Sequence, residues 1–209
     1  MSMERLTSYS RFRILLAFLS AGLLLPAAAL PQSKPAANVN RDGAISAEFQ
    51  KHVADYMNLR KKAEAGIAVP KGTGSPEKIT GYQHQLGEAI RAARPQAAQG
   101  EIFTPAVTEL FRRLVFSSLN GPDGTKIRKS YQRAEPIHGV RLEVNQAYPD
   151  GLPLQSMPPS LLLNLPHLPK ELEYRFVDHE LVLRDIASNL VIDLIPELTP
   201  PDQSSSKKK

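Results

Sequence analysis

Between Ala44 and Ala134 apolar residues recur at helical spacing, and beyond Pro136 at strand spacing. Ile45, Phe49, Val53, Tyr56 and Met57 fall at i, i+4, i+8, i+11 and i+12, one stripe of an amphipathic helix. Lys51, Asp55, Arg60, Lys61 and Lys62 are placed largely off that stripe, and Gly66 and then Val69-Pro70 end the helix. A second helix starts with Ser75 as N-cap, Pro76 in the first helical position and Glu77 in the first turn. Its stripe is Ile79, Tyr82, Leu86, Ile90 and Ala93, until Pro95 kinks or ends it. The third helix is the best marked: Thr104 caps, Pro105 sits in the first turn, and Val107, Leu110, Phe111, Leu114 and Val115 follow. Asn120-Gly121-Pro122-Asp123-Gly124 stops it, and Thr125 to Ala134 adds a weaker fourth helix.

After Pro136 the period is 2. Val140, Leu142 and Val144 alternate with Arg141, Glu143 and Asn145, which predicts a half-buried strand. Tyr148 to Gly151 reads as a turn, and Pro158-Pro159-Ser160 with the following leucines as a short helical plug. Three strands follow at close spacing, Glu173–Val177, Leu181–Ile186 and Leu190–Ile195. Gaps this short join antiparallel neighbours, so a meander is expected. The fold class is therefore α+β: a helical region over 44–134 and a small antiparallel module with a short helix over 135–198.

The ends read differently. Arg5, Arg11 and Arg13 precede the uncharged apolar run Ile14 to Leu25, then Pro26 and the small residues Ala27-Ala28-Ala29. This is the three-part layout of a secretory signal peptide over 1–29, and the run is short of the roughly 20 apolar residues of a membrane span. Export with cleavage near Ala29, into the periplasm or medium, is the expectation, with an uncleaved anchor as the alternative. In that case the N-terminal segment is the only membrane contact. Residues 30–43 read as a flexible leader and 199–209 as a disordered tail.

The chain has 209 residues, no cysteine, and 26 Lys plus Arg against 21 Asp plus Glu, a net charge of +5. The first 29 residues contribute +2 and the last three lysines +3, which leaves nothing for the rest. A basic total built from the two ends argues against a nucleic-acid face, which needs clustered Lys and Arg. The neutral middle is divided: residues 30–133 carry 16 basic against 9 acidic groups, and 134–206 carry 4 against 11. Such halves attract each other within one molecule, or offer charged faces to a partner. Without cysteine there is no disulfide framework, thiolate metal site or cysteine nucleophile.

Candidate chemistry is sparse. Asn38 to Ser46 opens like a calcium loop, but Phe49 stands where the bidentate Glu belongs; the competing reading is Asp42 or Ser46 as a helix N-cap. The five histidines make no HExxH, HxH or HxxxH pair. Asp178-His179-Glu180 concentrates three potential metal ligands at the first hairpin tip and is the candidate metal site. No GxSxG, SxxK or phosphate-cradling loop occurs. An enzyme of hydrolase type would need a carboxylate and a histidine in one pocket, such as Glu143 with His138 or His179. Phe111, Tyr174 and Phe176 are assigned to the core, and Arg112-Arg113 to the solvent side of the third helix.

The segments 99–114 and 148–196 resemble a group of uncharacterised bacterial exported proteins. The last fifty residues are also similar to the C-terminal module of RcnB-type periplasmic proteins, through Leu165–Pro169, Tyr174–Val177, Leu181–Asp185 and Val191–Ile195. That resemblance implies an envelope compartment and a small meander, in a group partly linked to nickel and cobalt homeostasis, and transfers no catalytic residue. The expectation is a non-catalytic envelope protein without a cofactor, acting through a protein partner, with metal handling and hydrolase activity as alternatives.

Overall fold

Each stretch of helical spacing becomes a helix once its apolar stripe finds a surface to cover. The computed structural model describes residues 36–70, 72, 75–133, 140–149, 158–177 and 179–198, with the side chains of 36–40 and 130–133 excepted. Among them are α1 (Ala36–Glu64), α2 (Pro76–Ala93), α3 (Pro105–Asn120), α4 (Gly124–Arg133) and the single turn α5 (Pro159–Leu162). Three strands follow, β1 (Leu172–Val177), β2 (Glu180–Asp185) and β3 (Leu190–Ile195), in one antiparallel sheet of order β1-β2-β3. The fold is α+β, with the meander where period 2 placed it. The signal segment and the tail lie outside the described residues, and no described helix is long and apolar enough to cross a membrane.

α1 begins at Ala36, inside the stretch read as a leader, and runs through the residues resembling a calcium loop. Ala36-Ala37 behind Pro35 is a good helix start, and one interior Gly, Gly43, costs only about 1 kcal/mol. Asp42 accepts a bond from Arg113 of α3 at 2.6 Å, in a solvent-exposed pair. A continuous helix cannot wrap its oxygens around an ion, so the calcium reading is withdrawn.

The helices and the inner face of the sheet share one core. Phe49 of α1, Phe103 before α3, Phe111 of α3 and Tyr174 of β1 pack at centroid distances of 5.1 to 5.9 Å. Phe111, Tyr174 and Phe176 are buried, as expected. The Tyr174 hydroxyl reaches the Pro166 carbonyl at 2.9 Å, so its polar end is satisfied. On α2 the buried stripe is Leu86, Gly87 and Ile90, while Ile79 at its start is exposed. Gly87 lies against the β2–β3 turn: a Cβ there would stand 3.2 Å from Leu190 and 3.3 Å from the Ser188 carbonyl.

The strand expected over Val140–Asn145 does not form. Val140 is exposed, Leu142 is buried and Val144 is partly buried. Bonding to β3 starts only at Asn145, whose N–H donates to the Val191 carbonyl at 2.8 Å; Val191 donates to Gln146 at 2.9 Å, and Tyr148 to Asn189 at 2.7 Å. Asn145 adopts φ 65°, which breaks the extended run where a ladder would begin. This segment covers the outer face of the sheet, where Leu142, Tyr148, Val177, Val182, Val191 and Leu194 form a second cluster.

Candidate functional site

The densest buried chemistry lies where α1 meets the end of β2. Phe49, Val53, Tyr56 and Arg60 recur at i+4, i+3 and i+4, so Arg60 occupies the apolar stripe and is only 6% exposed, contrary to its placement on the outer face. Its Nε donates to Asp185 at 2.7 Å and its Nη1 to Glu64 at 2.8 Å. Asp185, fully buried, also accepts from the Tyr56 hydroxyl at 2.9 Å and the Ser188 N–H at 3.0 Å. The Tyr82 hydroxyl of α2 donates to Glu64, which completes a chain from the buried aspartate towards solvent. Burial opposes the charge on Arg60, but Asp185 and Glu64 hold its pKa above the ordinary value. Burial and then Asp185 push the Tyr56 phenol far up, and burial with the Glu64 bond pushes Tyr82 up to about 12.

A second carboxylate, Asp193 of β3, is also fully buried. It accepts N–H bonds from Gly100 at 2.9 Å, and from Ile102, Phe103 and its neighbour Leu194, each at 2.8 Å. Burial pushes its carboxyl above the ordinary value, against the pull of these four donors. The connector leading into α3 is thereby tied to β3. Arg94 ties it again, donating to the Ile192 carbonyl at 3.1 Å and to Glu101 at 2.6 Å, with its guanidinium 5.6 Å from the Tyr56 ring centre.

A third group lies on the outer sheet face. Arg175 and Arg184 both donate to Glu173, and Arg184 also bonds Asn189 at 2.8 Å and stacks 5.3 Å from the Tyr148 ring centre. Burial would raise the Glu173 carboxyl, but its two arginines outweigh it and hold it below the ordinary value.

These three groups tie elements together: Asp185 to α1, Asp193 to the connector before α3, and Glu173 to β2. Asp185 lies on β2 and Asp193 on β3. Their positions, at the end of one strand and amid aliphatics in another, were the only sequence signal of their burial.

The sequence-predicted site residues are described only in part. Asp178 and His138 lie outside the described residues. His179 and Glu180 are half-buried, and the His179 carbonyl accepts the Leu198 N–H at 2.7 Å. Among the described residues no group of three His, Asp or Glu could hold a metal ion. Glu143 is exposed, 4.0 Å from Arg141. His52 faces Glu48 at 3.9 Å and His84 faces Glu88 at 3.6 Å, each within its own helix. An open depression along α2 is lined by Pro76, Glu77, Thr80, Gly81, His84 and Gln85. Comparisons with protein-family models, curated proteins and solved structures find no match to this chain.

Proposed function

We propose that this chain is an exported protein of the bacterial cell envelope, a non-catalytic interaction or homeostasis module that acts through its surface. The observation that carries this reading is the state of the buried charges. Arg60, Arg94, Asp185 and Asp193 each bond partners within the chain and serve as scaffold. Binding is left to the exterior, where Phe116, Leu162 and Leu163 protrude at 66%, 45% and 78% exposure. The basic, apolar and small-residue segments of the N-terminus support export.

The test is co-purification of the processed chain from its native envelope at low and high salt. An envelope protein enriched at low salt and diminished at high salt is expected, because exposed charges are screened beyond about 8 Å at physiological ionic strength. Enrichment of nothing over a mock purification would refute the reading.

A further inference from the structure

α3 presents one aromatic side chain on the side opposite its core stripe. Phe116 is 66% exposed, and its helix neighbours one turn back are Arg112 and Arg113. One turn forward the chain folds sharply into α4, where Arg128 reaches back to donate to the Leu119 carbonyl. Phe116 is thus bracketed along the helix by Arg112 and Arg113 on one side and Arg128 on the other. Lys126 and Lys129 stand exposed beside Arg128, while Ile127 between them is buried and anchors α4. Three carboxylates accompany these five cations: Glu109 pairs with Arg112 at 3.0 Å, Asp42 with Arg113 at 2.6 Å and Asp123 with Lys126 at 3.0 Å. All three pairs are solvent-exposed and exchange readily for another anion. The surface keeps a net positive charge around a projecting apolar tip.

We infer that this α3–α4 corner is a peripheral membrane-docking surface for anionic lipid headgroups, with Phe116 seated at the headgroup–acyl boundary. Charge complementarity selects an anionic occupant, and the projecting ring selects the kind. A lipid surface accepts a single apolar tip ringed by cations without a matching pocket. An acidic protein would need a shaped counter-surface. The inference rests on the envelope reading only in placing the chain near such a membrane, and vesicle binding and protein capture are separate measurements.

The experiment uses the chain from residue 30 onward, which removes the apolar N-terminal run as a competing anchor. All residues of both core clusters lie between Ile45 and Leu198, so this form retains them. It is sedimented with vesicles of phosphatidylethanolamine and phosphatidylglycerol, and with vesicles of phosphatidylcholine alone, at low and high salt. Binding to the first only, lost at high salt, is expected. Phe116→Ala should weaken it roughly tenfold, and Arg128→Gln with Lys129→Gln by roughly tenfold or more, on the order of fivefold per cation. Unchanged melting temperatures would show that both variants fold. No binding to anionic vesicles at low salt overturns the inference, as does undiminished binding by Phe116→Ala. Binding of poly-glutamate but not vesicles also overturns it and assigns the surface to an acidic polypeptide.

Discussion

Arg60 and Asp185 show how much one buried pair can carry. Attraction between two charges removed from water only offsets their lost hydration, but removing one partner strands the other. Asp185→Asn leaves Arg60 without its buried counter-charge and should cost about 3–5 kcal/mol in urea unfolding. Glu64→Gln touches the solvent end of the same chain and should cost about 1 kcal/mol or less. Equal losses would mean that Asp185 is not the counter-charge that matters. Glu173 gives the pH dependence. Its carboxyl is depressed in the folded state, so its stabilisation is complete above the unfolded value near 4.5 and is lost as pH falls through the folded one. The difference in melting temperature between the parent and Glu173→Gln should therefore shrink on acidification. A constant difference would exclude Glu173 as its source.

At the scale of elements, helix ends and corners decide the path of the chain. Thr104 caps α3 by accepting the Val107 N–H at 3.4 Å, and its hydroxyl donates to Glu48 of α1 at 2.8 Å. Thr104→Ala should cost about 1 kcal/mol. Gly124 opens α4 so tightly against α3 that a Cβ would lie 1.9 Å from the Leu119 carbonyl. Gly124→Ala must push the corner apart and should cost about 1–3 kcal/mol, more than the cap, in guanidinium unfolding. The absent strand at 140–145 is an element-scale lesson too. Alternation marks which side chains face inward, but a strand also needs a backbone edge in register, and β3 meets this segment only from Asn145 onward.

Among the described residues, a second cluster lies on the outer sheet face, and the helices and the inner face of the sheet share one core running from Ile45 to Leu198. The sequence's opposed charges meet inside it, Arg60 with Asp185, while Arg94 reaches the β3 backbone. Helix and sheet should therefore unfold together. Far-ultraviolet circular dichroism, dominated by the helices, should share one midpoint with the fluorescence of Tyr174, read as the difference from Tyr174→Phe. Separate midpoints would show two independent units.

The sequence alone determined the elements that depend on local periodicity and punctuation. Proline and cap residues marked α2 and α3, and alternation with short gaps placed the three strands within a residue or two, because these signals are written in neighbouring side chains. Only the tertiary structure decided which charges are buried, because burial depends on what packs opposite. Arg60 reads as one more basic residue of α1 until Asp185, 125 positions away, arrives to meet it. Asp193 reads as a strand residue among aliphatics until the N–H groups of 100, 102 and 103 converge on it. The start of α1 was hidden as well: Asn, Gly and Asp suggested a loop, and the helix runs through them unbroken to Glu64.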